Sequence, residues 1–225
     1  MKNSISFFAI IIFSVIQSQE LKDFIVPKNY EKILESKGDL DKDGTDETVV
    51  VFNTDKKIES ETESAGLERK LYILKTINGQ VKIWKENSNL IFQSEMGFYP
   101  SDNKLELSIK NNCLYILQSY YTNSRHSETC KYTFRFQNGD FYLIGASIRF
   151  DDTCEFNFKN EVNFSTGKVI IDNQFSDCDE GSDRKIPKDY YKEFTHKFPK
   201  LIKMNDFRIG ENKINIPNSK QHFNY

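Results

Sequence analysis

Turn signals, most of them carrying asparagine or glycine, recur between short runs of β-branched and aromatic residues, and this spacing constrains the fold more than any other feature. Asn78-Gly79 separates Lys70–Ile77 from Val81–Lys85, and Asn111-Asn112 separates Lys104–Ile109 from Cys113–Tyr121. Asn138-Gly139-Asp140 separates Lys131–Gln137 from Phe141–Phe150, and Ser165-Thr166-Gly167 separates Glu155–Phe164 from Lys168–Phe175. Asparagine and glycine tolerate the positive φ that tight hairpin turns require, so each site predicts a β-hairpin. Tyr132, Phe134 and Phe136 alternate with Lys131, Thr133 and Arg135. That period of two sets one face on a core and the other in water. The abundance of Phe (19) and Tyr (11) suits half-buried strands better than helices.

The expected fold is therefore mainly β, an antiparallel meander of hairpins with one or two short helices. Tyr30, Ile33 and Leu34 fall at helical spacing and predict a short helix before Gly38. Pro187 to Phe194 predicts a second, with proline in its first turn. Thr48-Val49-Val50-Val51-Phe52 is an uninterrupted β-branched and aromatic run and predicts a buried strand. Asn53 to Gly66 is charged and predicts a mobile loop, while Leu90 to Tyr99 has no single period. From Gly210 onward the pattern weakens into an expected mobile tail. No repeat of 20–50 residues appears, which argues against a propeller or solenoid.

The N-terminus carries Lys2, the apolar run Phe7 to Ile16 interrupted only by Ser14, and small polar residues Gln17-Ser18-Gln19. This is the layout of a secretory signal peptide, with cleavage expected after Ser18 and one β-rich domain over 19–225. The run is shorter than the ~20 apolar residues a membrane span needs. The expected location is secreted or periplasmic. A formal net charge of −2 gives no general attraction to nucleic acid or to anionic membranes.

The four cysteines, Cys113, Cys130, Cys154 and Cys178, allow disulfides in an exported chain, in three pairings. A hairpin turning at Thr166 sets Cys154 and Cys178 opposite each other near its open end. Cys113 with Cys130 is left by elimination and fits poorly, because a turn near Ser124 puts them at different levels. The chain has no CxxC pair, so a zinc ribbon or a thioredoxin-type site has no support.

One segment carries chemistry: Asp39-Leu40-Asp41-Lys42-Asp43-Gly44-Thr45-Asp46-Glu47. Calcium takes six to eight oxygen ligands, and carboxylates at alternate positions supply them when the backbone curls around the ion. Gly44 permits the sharp turn. The expected ligands are Asp39, Asp41, Asp43, the Thr45 carbonyl and Glu47. Bound metal would relieve the mutual repulsion of the acids and tie the loop to the strand that follows. Position twelve is Val50 rather than a glutamate, and a strand follows, so this is not an EF-hand.

Over Gly38 to Phe52 the pattern resembles the calcium loop of FG-GAP-type repeats and of secreted bacterial proteins with a single such loop, in which an Asp-x-Asp/Asn-x-Asp-Gly-x-x-Asp/Glu loop runs directly into a buried strand. The resemblance implies calcium ligation by the same five residues. The chain shows one such unit, so it implies neither a propeller nor integrin-like binding. Asp177 to Asp183 forms a second acidic cluster without regular spacing and reads as a solvated loop.

Catalytic motifs are absent: the sequence contains no GxSxG, HExxH, P-loop or GxGxxG. His126, beside Arg125, Ser127 and Glu128, reads as a polar hairpin tip rather than a nucleophile's base. His196 reads as a surface residue at the predicted second helix, His222 as part of the tail, and Trp84 as core packing. The expectation is a non-catalytic secreted domain with structural calcium that binds a protein or a glycan. Two alternatives stay open: a hydrolase whose paired carboxylates are distant in sequence, and an inhibitor or immunity-type protein.

Overall fold

A computed structural model of the chain describes residues 24–59, 65–178 and 185–225. The expected signal peptide and most of the second acidic cluster lie outside the described residues. Strands β1 (Glu31–Gly38), β2 (Glu47–Ile58), β3 (Gly66–Ile77) and β4 (Gln80–Asn87) form one antiparallel sheet in sequence order. The second sheet is a seven-stranded meander, again in sequence order. It runs through β5 (Lys104–Lys110), β6 (Cys113–Tyr121), β7 (His126–Gln137), β8 (Asp140–Asp152), β9 (Phe156–Asn163), β10 (Lys168–Phe175) and β11 (Tyr190–Thr195). A short ribbon, β12 (Lys213–Asn215) with β13 (His222–Asn224), completes the fold.

The fold class is as the turn signals require. Both central residues have positive φ at Asn78-Gly79, at Asn111-Asn112 and at Asn138-Gly139, which gives three two-residue hairpins. The β9–β10 pairing runs from Lys168 opposite Asn163 to Phe175 opposite Phe156, so its turn spans four residues. Just past the open end, Cys154 and Cys178 are disulfide-bonded with Cα atoms 5.7 Å apart. Cys113 lies opposite Arg135 and Cys130 opposite Gln118, so these two are separate and remain buried free thiols.

One continuous core fills the space between the sheets. Val49, Val51, Leu71 and Ile73 enter it from the four-stranded sheet, and Leu114, Ile116, Tyr132, Phe134, Phe141 and Val169 from the seven-stranded one. β2 is buried on both sides: Val50 and Phe52 pack on the opposite face with Tyr72, Leu74, Phe24 and Tyr30. That two-sided burial is what the unbroken run Thr48–Phe52 requires. The two sheets meet where β1 approaches β5. A Cβ on Gly38 would lie 2.6 Å from Ile109, so this approach needs glycine.

Several local expectations are corrected. Residues Tyr30 to Glu35 are not helical: β1 starts at Glu31, and Ile33 is skipped in the register between Lys32–Phe52 and Leu34–Val51. This bulge lets Ile33 and Leu34 both pack on the core, which mimics helical spacing. The segment after Pro187 is likewise a strand, β11, which supplies backbone partners to β10. The described residues contain a single helical turn, the 3-10 turn Pro100–Asp102. The stretch expected as a loop from Asn53 to Gly66 instead extends β2 to Ile58, and residues 60–64 lie outside the described residues. Leu90 to Tyr99 is irregular and is held by the buried Gln118, whose side chain accepts from Phe92 N (2.7 Å) and donates to Leu90 O (2.9 Å). The expected mobile tail is packed: Ile214, Ile216, Phe223 and Tyr225 belong to the core.

Candidate metal centre

The acidic loop connects β1 to β2 and begins where Gly38 pairs with Glu47. Leu40, 1% exposed, anchors it in the core. Positive φ at Lys42 (71°) and Gly44 (84°) curls the chain, and the backbone closes on its own acids. Asp39 accepts from Lys42 N at 2.6 Å and from Gly44 N at 3.1 Å, and Asp43 accepts from Thr45 N at 2.8 Å. Glu47 accepts from Leu40 N at 2.8 Å, locking the two ends of the loop together. From outside, the Asn112 side chain in the β5–β6 turn donates to Asp39 O at 2.8 Å.

This folding gathers carboxylate oxygens of Asp39, Asp41 and Asp43 within 4.8 Å of one another. Thr45 contacts the group through its backbone N–H, which donates a hydrogen bond to Asp43. Glu47, 1% exposed, reaches the group through a residue that sequence reasoning missed, Lys75. The Lys75 ammonium bonds Asp41, Asp43 (2.7 Å) and Glu47 (3.0 Å), and it lies 4.9 Å from the Trp84 ring centre. Only the β2–β3 register could have revealed it: Thr48 faces Leu74, so one further step puts Lys75 level with Glu47.

Electrostatics follow from these contacts. The hydrogen bond from Lys75 and the Thr45 amide hold Asp43 below the usual carboxylate range. Burial pushes Glu47 upward, and its bonds from Leu40 N and Lys75 offset only part of that. Burial also opposes the charge on Lys75, but three carboxylate partners outweigh it and hold the ammonium above its ordinary value. Asp41 Oδ1 is buried without a hydrogen-bond partner, so one acceptor in the cluster is unsatisfied. Hard oxygen donors at this density fit calcium better than a soft metal.

The other candidate residues do different work. His126 opens β7, and its Nε2 lies 3.0 Å from Asp152 Oδ2. The Asn123 side-chain nitrogen sits 2.9 Å from Nδ1. Asp152 is buried and also accepts from Glu155 N (2.9 Å), Cys154 N (3.0 Å) and Arg125 (2.9 Å). This cluster ties the β6–β7 turn to the β8–β9 turn beside the disulfide. Ser127, next to His126 in the strand, points to the other face, so the two form no nucleophile–base pair. Trp84 packs on Phe136 and Phe141, with ring centres at 4.6 and 4.9 Å. His196 contacts Phe198, and His222 lies on β13.

Among the described residues, no helix is long and apolar enough to cross a membrane. Comparison of the chain with protein-family models, with curated proteins and with solved structures finds no match.

Proposed function

We propose that this chain is an exported, non-catalytic binding module in which a calcium ion held by Asp39, Asp41, Asp43, Thr45 and Glu47 stabilises the junction of the two sheets. The observation that carries the calcium reading is the balance of charge in the loop. Four carboxylates lie in or beside the loop, three of them (Asp41, Asp43 and Glu47) share the one ammonium of Lys75, and Asp41 still has a buried unsatisfied oxygen. A divalent cation supplies the missing charge and takes the free acceptor. The likeness of the loop to FG-GAP-type calcium loops supports the same assignment. The binding role rests on the outer face of the long seven-stranded sheet, which over β7 to β10 carries Lys131, Thr133, Ser147, Lys159, Glu161, Asn163 and Lys168. Export is supported by the N-terminal pattern and by the disulfide.

Isothermal titration of the chain with calcium, paired with melting curves in calcium and in chelator, tests the site. Calcium should release heat and raise the melting temperature, and Asp41→Asn with Asp43→Asn should remove both effects. Identical melting with and without chelator overturns the assignment. A second reading draws on one observation: Lys75 already stands among the acids as a built-in counter-ion. It holds if the loop is ordered and calcium-insensitive while loss of Lys75 destabilises the fold.

A further inference from the structure

The outer face of the seven-stranded sheet carries a cavity of about 490 Å³, spread over β7, β8, β9 and β10. None of its lining residues belongs to the acidic loop. Strand alternation decides what lines it. Tyr132 and Phe134 point into the core, so Lys131 and Thr133 point outward. The register then lays out two rows across the strands. One row is Thr133, Gly145, Asn163 and Lys168; the next is Lys131, Ser147, Glu161 and Ile170.

The floor is low because its middle residues, Gly145 and Ser147, are small. Gly145 is not needed for backbone reasons, since its φ is not positive. A Cβ there would meet Thr133 at 3.5 Å, an ordinary contact, so a larger side chain would stand in the groove. Beside it, the register passes from Thr133–Gly145 to Phe134–Leu143 and skips Ile144. Such a bulge bends the strand and increases its twist, which deepens the face at this point.

We propose that this groove binds a short acidic saccharide, a chain of uronic-acid type, and in doing so we build on the reading of the protein as a binding module. The groove has the size of a ligand site. Its chemistry is hydroxyl, amide and ammonium, with Ile170 as its one outward apolar side chain, which suits neither a lipid nor an apolar ligand. Three lysines, Lys131, Lys159 and Lys168, face one carboxylate, Glu161, in a chain whose net charge is −2. Lys159 pairs with Glu161 at 2.9 Å and Lys168 with Glu193 at 3.0 Å. Both pairs are about half exposed, so trading a partner for a ligand carboxylate costs little. Lys131 lies 5.1 Å from the Tyr115 ring centre and has no acidic partner among the described residues. A peptide adding as a strand needs a free sheet edge, whereas β7 to β10 are paired on both sides. Single-stranded nucleic acid needs stacking rings, and none lines this cavity. A hydroxyl-rich acid read by side chains is what the surface fits.

The test is titration of the calcium-loaded full chain with oligogalacturonate, alongside a neutral cello-oligosaccharide and a polyglutamate peptide. Oligogalacturonate should bind, weaken with added salt, and lose about tenfold in affinity in Gly145→Leu and in Lys131→Ala with Lys168→Ala. Circular dichroism confirms that each variant is folded; if Gly145→Leu is not, Ser147→Leu blocks the same floor. No heat at millimolar oligogalacturonate, equal binding of the neutral sugar, equal binding of polyglutamate, or indifference to the folded variants each overturns the proposal. The Asp41→Asn, Asp43→Asn variant separates the two readings. Sugar binding kept there while calcium binding is absent from the wild type sinks the calcium site alone; calcium binding without sugar binding sinks the groove alone.

Discussion

Replacing Lys75 with methionine keeps the aliphatic stem beside Trp84 and deletes the ammonium that bonds Asp41, Asp43 and Glu47. The side chains of Lys75 and Asp41 are 15% and 16% exposed and that of Glu47 1%, so most of this pairing is screened from water; Asp43, at 43%, contributes less. Removing one partner of a buried ion pair costs about 3–5 kcal/mol, and the partial exposure of Asp43 argues for the lower end. In chelator, a loss of about 3 kcal/mol should lower the melting temperature of a chain this size by about 6–12 °C. Calcium at about 100 times its dissociation constant returns about 2.7 kcal/mol, so most of the loss should be recovered. The recovery should also exceed the calcium-induced rise in the wild type, because there the incoming ion competes with an ammonium already in place. Melting curves by circular dichroism, both proteins in chelator and in calcium, read all four values. A Lys75→Met protein that melts like the wild type in chelator would show that the ammonium does not hold the loop together. Equal calcium-induced shifts in the two proteins would show that ion and ammonium do not share a site.

Other outcomes follow from particular contacts. The amides of Glu155 and Cys154 and the Arg125 guanidinium hold Asp152 well below the usual carboxylate range against the cost of burial. Its stabilisation is complete above about pH 4, where an unfolded aspartate is ionised, and fades as acid protonates the folded carboxylate. Asp152→Asn should therefore lower stability at pH 7 and flatten its decline below about pH 4, read by urea unfolding across pH. Gly97 has φ +79°, and a Cβ there would lie 2.4 Å from Tyr121 O, so Gly97→Ala should cost about 1–3 kcal/mol or more in urea midpoint analysis. The Cys154–Cys178 bond closes a separation of 24 residues, and replacing both with serine should cost about 3 kcal/mol. Ending the chain at Ile209 removes Ile214, Ile216, Phe223 and Tyr225 from the core, and the product should be protease-sensitive with a weakened near-ultraviolet dichroism signal.

The parts of this fold that the sequence made legible are the ones set by neighbours along the chain. Two-residue turns announce themselves because positive φ at consecutive positions selects asparagine and glycine. The Cys154–Cys178 pairing was readable to within one residue for the same reason: the observed register, with Phe156 opposite Phe175, extrapolates to Cys154 opposite Asp177, the neighbour of Cys178. The failures share a cause too. Ile33 and Leu34 look helical only because a bulge, set by the partner strand β2, turns both toward the core. Tyr190 to Thr195 is extended because the far edge of β10 needs backbone partners. The apolar residues from Met204 to Tyr225 carry no period because they fill the core from irregular backbone and from two strands of only three residues each. Lys75 was invisible for want of the β2–β3 register, although all three acids it touches, Asp41, Asp43 and Glu47, stand out in the sequence.

The acidic loop sits where the edge strands of the two sheets, β1 and β5, approach each other. β1 belongs to the four-stranded sheet yet approaches β5 of the other, with Gly38 against Ile109. Asn112, at the β5–β6 turn, grips Asp39 O, and Lys75 reaches the acids from β3. The loop thus has attachments on both sheets and a buried leucine beneath it, while its acids repel one another unless a cation is present. A charge placed there acts on the junction of the sandwich rather than on one hairpin. The groove on β7 to β10 is built from the middle of the other sheet, where every strand is paired on both sides and needs no such clamp. A cation that secures the junction and a surface left free to bind are therefore compatible in one chain, because they draw on different strands.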